Sequence, residues 1–206
     1  ALFFVIKGSV FFIFFLGVFF LTASYEWVKM NKKSFIKNIG IFYLLLAVYV
    51  AYLIREDFGL NIFIFIIVTC VFTDLGGYIF GKIFKGPKLT KVSPNKTYSG
   101  MIGSFILSVI AGSLSMKLEY IFFPLTIFET NLMINLGETQ NLPFLGLILF
   151  ISAISQIGDL VISYFKRLAK IKDTGKFIPG HGGFLDRVDG IIFAIPATYL
   201  LFNIII

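Results

Sequence analysis

The sequence predicts an all-α, polytopic integral membrane protein of about six to seven transmembrane helices with polar cytoplasmic loops. Hydrophobic residues make up 58% of the chain and charged residues only 14%, which is too few charges for a water-facing surface. The apolar residues form near-continuous runs, a pattern typical of helices that are apolar on every face. Lysine and arginine are concentrated in the short segments between those runs, as they are in membrane proteins.

Six apolar runs are interpreted as spans, because a helix needs about 20 residues to cross a bilayer. They cover residues 2–23, 39–54, 60–80, 101–116, 142–165 and 191–206. A shorter run at 120–128 is expected to be re-entrant, interfacial or a continuation of the span before it. The first run lacks a signal-peptide cleavage site and is expected to be retained, while the start at Ala1 leaves the completeness of the N-terminus open. Without an internal repeat or linker, residues 1–206 form one predicted membrane domain.

Three predicted loops, 26–38, 82–99 and 166–189, hold 15 of the 18 lysine and arginine residues. Basic loops accumulate on the cytoplasmic side, so all three are expected on one face of the membrane. A basic face beside anionic lipid favours a protein that handles lipid headgroups or nucleotide phosphates, although topology alone would produce the same pattern. Because the basic residues follow the membrane topology, nucleic acid is not an expected partner. The single Cys70 excludes an intrachain disulfide and a thiolate metal site.

The most informative polar stretch, residues 163–190, contains Pro179-Gly180-His181-Gly182-Gly183. Glycines allow successive N–H groups to point into one concavity, which is how backbone anion sites are made. His181 is the only histidine of the chain, and three roles are open to it: phosphate contact, loop structure and acid–base chemistry. The stretch is therefore a candidate phosphate site.

Asp186 and Asp189 follow the glycine-rich stretch, at the expected start of the last helix. Two carboxylates three residues apart lie on one face of a helix and can share a hard cation. Magnesium fits this pattern, because it takes one or two carboxylates, keeps several waters and bridges to phosphates. The alternative is that both residues only cap the helix and offset its dipole.

Two further carboxylates, Asp74 and Asp159, lie inside predicted spans. A carboxylate at that depth costs about 2.5–3.5 kcal/mol on insertion scales, so a functional role is expected for each. Asp159 is expected to complete a metal site with the two aspartates before the last span, and an ion pair with Lys166 or Arg167 is the alternative. For Asp74, the glycines that follow indicate either close helix packing or approach of the backbone to a ligand.

A turn before the 101–116 run carries Ser93, Lys96 and Thr97. Two hydroxyls and an ammonium ahead of a helix can bind a phosphate, although this signal is weak alone.

Together these motifs resemble those of the phosphatidate cytidylyltransferase family, also called CDP-diacylglycerol synthases. The resemblance covers residues 74–190, in the order found in the family. It is carried by the following matches: Asp74-Leu-Gly-Gly-Tyr-Ile-Phe-Gly81-Lys82, Ser93-Pro94-x-Lys96-Thr97, Ser163-x-x-Lys166-Arg167, Lys172-Asp173, Pro179-Gly180-His181-Gly182-Gly183 and Asp186-Arg187-x-Asp189.

The resemblance implies a nucleotidyltransferase that transfers CMP from CTP to phosphatidate, giving CDP-diacylglycerol and pyrophosphate in phospholipid biosynthesis. It implies magnesium as the cofactor, with potassium as a second candidate ion, in a bacterial inner membrane protein. A homodimer is compatible with a polytopic enzyme, but the sequence shows no interface. The implied metal ligands are Asp159, Asp186 and Asp189. The implied catalytic residues are Asp159, Ser163, Lys166, Arg167, Lys172, Asp173, His181 and Arg187. The implied nucleotide-binding residues are Asp74, Ser93, Lys96, Thr97, Gly180, Gly182 and Gly183.

Two other functions are compatible with parts of the pattern. A CTP-dependent polyprenol or phytol kinase shares the membrane setting and the nucleotide but phosphorylates an alcohol. A transporter or channel would use the intramembrane aspartates as an ion path, which leaves the polar loop motifs unexplained. A CDP-alcohol phosphotransferase is disfavoured because its DGxxAR motif is absent.

Overall fold

The computed structural model describes residues 9–90, 92–122, 141–175 and 182–205. Within these ranges the chain forms helices and no strand, which confirms the predicted all-α class. The helices are α1 (Ser9–Met30), α2 (Ser34–Asp57), α3 (Gly59–Phe84), α4 (Tyr98–Phe122), α5 (Asn141–Leu168) and α6 (Ile191–Ile205). A 3₁₀ turn at Leu185–Arg187 precedes α6.

Five helices of the described part are long and apolar enough to cross a membrane, as expected of an integral membrane protein. These spans are Val10–Met30, Ser34–Asp57, Gly59–Phe84, Tyr98–Ser115 and Phe144–Leu168, and Ile191–Ile204 is a shorter apolar helix. The described ranges thus contain five long spans and one short one, at the lower end of the predicted number. The doubtful 120–128 segment begins as the end of α4, and residues 123–128 lie outside the described ranges.

Helices extend beyond the apolar runs that predicted them. The first span was expected to end at residue 23, yet α1 continues to Met30 and α2 begins at Ser34. Most of the predicted loop 26–38 is therefore helical. The reason is that hydropathy marks where a helix leaves the hydrocarbon, whereas its backbone hydrogen bonds continue into the polar interface.

The three basic segments meet at one end of the helix bundle. The carboxylate of Glu26, in α1, accepts a hydrogen bond from the Thr174 hydroxyl at 2.9 Å. Arg167, in α5, donates to the carbonyl oxygen of Val92, between α3 and α4, at 3.1 Å. At the opposite end, the Tyr199 hydroxyl donates to the carboxylate that ends α2 at 3.2 Å. This arrangement is the one that the basic-loop pattern predicts, with all three loops on one face.

Helices α3 and α4 approach each other closely through glycines. A Cβ atom on Gly76 would lie 2.5 Å from the carbonyl oxygen of Gly103, and one on Gly100 would lie 2.7 Å from that of Gly77. Such contacts between backbones are typical of membrane helices that pack through small residues. Of the two roles weighed for the glycines after Asp74, these contacts support helix packing.

Replacing Gly76 with alanine is expected to reduce the free energy of unfolding by about 1–3 kcal/mol, because the added methyl group meets backbone that cannot rotate away. Gly17→Ala is the matched control, since a Cβ atom there has no neighbour within 4 Å. Thermal unfolding of both variants in the same detergent measures the difference. Equal stability of the two variants would show that the α3–α4 contact is looser than described.

Candidate active site

A cavity of about 340 Å³ lies at the end of the bundle where the basic segments meet. Its wall combines α3, α4 and α5 with the segment between α3 and α4 and the segment before α6. The lining residues are Asp74, Gly77, Tyr78, Leu89, Ser93, Asn95, Lys96, Thr97, Gly100, Met101, Ser104, Gln156, Asp159, Asp186, Arg187 and Asp189. Eight of them are residues that the sequence singled out, so the structure brings together motifs separated by more than a hundred residues.

Asp159, which the sequence placed inside a span, has several polar neighbours in the cavity. Its carboxylate forms an ion pair with the ammonium of Lys96. The Ser163 hydroxyl, one helical turn away, lies 3.4 Å from the other carboxylate oxygen. The Asp189 carboxylate lies next to that of Asp159. The alternative prediction paired Asp159 with a basic residue of its own helix, whereas the direct partner is Lys96 from the segment between α3 and α4.

Asp189 is 4% exposed, and its carboxylate accepts a hydrogen bond from the N–H of Gly190 at 3.0 Å. Burial, together with the charge of the neighbouring Asp159, raises the pKa of Asp189 well above its usual range. Two carboxylates that face each other in a poorly solvated site repel one another when both are ionised. A divalent cation between them would remove that repulsion, so the pair fits magnesium.

Asp186 holds the polar segment before α6 together. One carboxylate oxygen accepts from the Lys166 ammonium at 2.8 Å, in a pair whose side chains are both 11% exposed. The other oxygen accepts from the backbone N–H groups of Thr174 at 2.9 Å and Gly183 at 3.0 Å. Three hydrogen bonds to a largely buried carboxylate make Asp186 a loop-organising residue.

The predicted three-aspartate metal site is not assembled in the described part of the chain. There, no three Asp, Glu, His or Cys side chains lie close enough together to hold a metal ion. Asp186 and Asp189 lie in and after a 3₁₀ turn that ends before α6, so they do not share a helix face as the spacing suggested. Asp186 is bound by the Lys166 ammonium and by two backbone N–H groups of its own segment, so the carboxylates left facing each other as candidate magnesium ligands are Asp159 and Asp189.

The segment between α3 and α4 folds back on itself so that Ser93 and Lys96 reach the cavity. The N–H of Leu89 donates to the carbonyl oxygen of Lys96 at 2.8 Å, and Lys88 and Thr97 form an antiparallel bridge. The Thr97 hydroxyl accepts from the N–H of Gly100 at 3.1 Å, in the first turn of α4. This geometry places the predicted phosphate-binding residues, Ser93, Lys96 and Thr97, on the cavity wall.

Several predicted site residues do not line the cavity. Arg167, Lys172 and Asp173 are exposed, and Arg167 instead donates hydrogen bonds to backbone carbonyls of two loops. Ser163 and Lys166 are buried behind the wall, where each contacts an aspartate. Ser163 and Lys166 therefore support the wall from behind, whereas the roles of Lys172 and Asp173 stay predictions.

Only part of the predicted glycine-rich anion site can be placed. Gly182 has a φ of 86°, a backbone conformation that favours glycine, and the N–H of Gly183 is donated to Asp186. Gly180 and His181 lie outside the described residues, so their predicted contacts with phosphate stay predictions. The N–H of Gly183 is therefore bound by the loop's own carboxylate.

Sequence reasoning missed Glu26 and two amide residues of the wall, Asn95 and Gln156. Glu26 is 3% exposed in α1, but the apolar run ended three residues earlier and the residue was assigned to a loop. The cost of a carboxylate near the membrane, already applied to Asp74 and Asp159, was the signal that could have found it. Asn95 and Gln156 carry neither charge nor a diagnostic spacing, and no sequence signal distinguishes them.

Comparison with known proteins places these features in a family. Residues 8–205 match the model of the cytidylyltransferase family. The phosphatidate cytidylyltransferase of Staphylococcus aureus (strain COL) is 42% identical over 130 residues, which are 63% of this chain and 44% of that protein. The protein of the same name from Brucella suis biovar 1 (strain 1330) is 40% identical over 129 residues, which are 62% of this chain and 42% of the relative.

The matched stretch thus spans less than half the length of these curated relatives. The family match, in contrast, extends over nearly all of the residues in this chain and includes every part of the cavity wall. By that match, the chain belongs to the cytidylyltransferase family.

Proposed function

We propose that this chain is a phosphatidate cytidylyltransferase, which transfers CMP from CTP to phosphatidate and releases pyrophosphate. The observation that carries the proposal is the cavity at the polar end of an apolar bundle, where buried carboxylates lie beside basic and hydroxyl side chains. The names of the matched relatives support the same reaction. The chain thus combines a membrane setting for a lipid with polar groups for a nucleotide.

The chemistry requires two anions to approach each other. A phosphate oxygen of phosphatidate forms a bond to the α-phosphorus of CTP, and the bond from that phosphorus to the bridging oxygen of the β-phosphate breaks. Because the nucleophile is already an anion, positioning and charge neutralisation account for most of the catalysis. No residue of the cavity has to act as a general base, so the reaction does not require the acid–base role weighed for His181.

Lys96 and Arg187 are the basic residues of the described cavity wall that can offset phosphate charge. The ammonium of Lys96 is held on the wall by Asp159, which orients it toward the cavity. Asp159 and Asp189 would hold magnesium, which when bound neutralises phosphate oxygens and polarises the phosphoryl group. Ser163 would keep the Asp159 carboxylate oriented through the contact at 3.4 Å.

The proposed location is the cytoplasmic side of a bacterial inner membrane. The end of the bundle that carries the cavity also carries the basic segments, which favours a cytoplasmic position by the positive-inside rule. Phosphatidate would keep its acyl chains in the bilayer while its headgroup enters the cavity. CTP would arrive from the aqueous phase at the same boundary.

The test is an acceptor comparison with purified protein in mixed micelles, with and without magnesium. With phosphatidate, we expect pyrophosphate release that depends on both magnesium and the lipid phosphate. With diacylglycerol or a polyprenol, we expect no turnover of CTP. Release of CDP with an alcohol acceptor would instead identify a kinase, and turnover of neither substrate by folded protein would contradict the proposal.

A further inference from the structure

Glu26 is a buried carboxylate that takes no part in the cavity wall. It lies one turn before the end of α1, is 3% exposed, and accepts three hydrogen bonds from the polar segment before α6. Its Oε1 accepts from the N–H of Phe184 at 2.9 Å, and its Oε2 accepts from the N–H of Leu185 at 2.8 Å. The hydroxyl of Thr174 donates to the same Oε2 at 2.9 Å. Glu26 thus fixes two separate parts of this segment to α1.

Thr174 connects Glu26 with Asp186, the other carboxylate that binds this segment. Its hydroxyl donates to Glu26, whereas its backbone N–H donates to Asp186. The consecutive residues Gly183 and Phe184 divide their N–H groups in the same way, the first to Asp186 and the second to Glu26. The two carboxylates therefore bind the same segment, which Asp186 connects to α5 through Lys166 and Glu26 connects to α1.

The glycines of the segment allow this close contact. A Cβ atom on Gly175 would lie 2.3 Å from Oε1 of Glu26, and one on Gly183 would lie 2.6 Å from Oε2. The backbone at both glycines therefore approaches the carboxylate directly. The oxygens of a carboxylate enclosed in this way are fixed by three donors, and its loss leaves buried N–H groups without partners.

We propose that Glu26 is a positioning residue for the reaction, holding the 3₁₀ turn so that Arg187 and Asp189 face the cavity. Leu185, which donates to Glu26, begins the turn that contains Arg187 and leads to Asp189. This inference rests on the proposed function for its kinetic consequence, whereas the anchoring itself can be measured without any substrate. Glu26 acts through the turn and does not contact CTP or phosphatidate.

The test is Glu26→Gln, which keeps the size of the side chain but replaces one acceptor oxygen with a donor that opposes the N–H groups. We expect amide hydrogen exchange at Phe184 and Leu185 to become about 10-fold faster, as expected for the loss of about one net hydrogen bond. In the same protein, kcat is expected to fall about 10–100-fold while the KM for CTP changes much less, because the reacting groups are misplaced and the nucleotide still binds.

The matched control is Glu56→Gln, in an exposed side chain whose only described partner is Arg55 at 3.8 Å. It should leave both exchange and kcat unchanged. If Glu26→Gln fails to fold, Thr174→Val and Thr174→Ser replace it, because only serine keeps the hydroxyl that donates to Glu26. The serine variant should then match the wild type in exchange, and the valine variant should not.

Wild-type exchange at Phe184 and Leu185 in Glu26→Gln would overturn the inference. A fall in kcat that only follows the fraction of folded protein would overturn it equally. If the wild type shows no cytidylyl transfer at all, the proposed function fails, and the exchange measurement still decides whether Glu26 anchors the turn.

Discussion

Asp189→Asn is expected to lower kcat/KM for cytidylyl transfer about 10²–10³-fold, the size of effect seen when one preorganised electrostatic group is removed from an active site. Asp189 lies next to Asp159 and is almost fully buried, so asparagine removes one of the two charges that can attract magnesium. The loss should be accompanied by a higher magnesium concentration for half-maximal rate. Initial rates across a magnesium titration measure both effects.

Asp57→Asn is the control for this prediction, because Asp57 is exposed at the other end of the bundle, with Tyr199 as hydrogen-bond partner. Asp159→Asn should behave like Asp189→Asn.

Asp186→Asn separates the two interpretations of the third aspartate. An unchanged magnesium requirement at reduced stability supports a loop-organising role, whereas a shifted requirement supports the three-aspartate site. Full magnesium-dependent turnover by Asp189→Asn would contradict its assignment as a ligand.

Lys166→Met is expected to reduce the free energy of unfolding by about 3–5 kcal/mol, because it leaves the carboxylate of Asp186 buried without its cation. The two side chains are both only 11% exposed, so water compensates little for the lost partner. Adding Asp186→Asn to Lys166→Met should restore part of this loss, since the amide carries no charge. Unfolding by denaturant in micelles, arranged as a double-mutant cycle, measures the coupling.

The exposed pair Arg55–Glu56 provides the comparison, because its carboxylate is 48% exposed and its atoms are 3.8 Å apart. Breaking it with Glu56→Gln should change stability by no more than about 1 kcal/mol. A Lys166→Met protein that loses no more stability than this exposed control would show that the buried pair contributes little.

The helical spans were predictable because lipid leaves few alternatives for a long apolar run. The ends of those helices were not, and Glu26 shows the consequence. It lies beyond the apolar run but still in α1, so hydropathy placed it in a loop. Its contacts with Phe184 and Leu185 could therefore not be predicted. Local composition indicates whether lipid or water surrounds a segment, whereas the length of a helix depends also on the tertiary contacts that its last turns make.

The candidate site was predictable in its residues but only partly in its pairs. The sequence identified Lys96, Asp159, Asp186 and Asp189, and all four line one cavity. It did not predict that Lys96 would pair with Asp159, because that contact joins two segments with no fixed spacing. Nor could motif spacing show that the Asp186 carboxylate accepts hydrogen bonds from backbone N–H groups of its own loop. Pairing depends on how the helices pack, which motif spacing does not encode.

The central claim is tested most directly by giving the purified protein phosphatidate, magnesium and CTP labelled in separate samples at the α- and γ-phosphates. We expect the α label to enter the lipid phase in a one-to-one ratio with pyrophosphate, and the γ label to appear only in that pyrophosphate. Entry of the γ label into lipid, with the α label left in CDP, would contradict cytidylyl transfer.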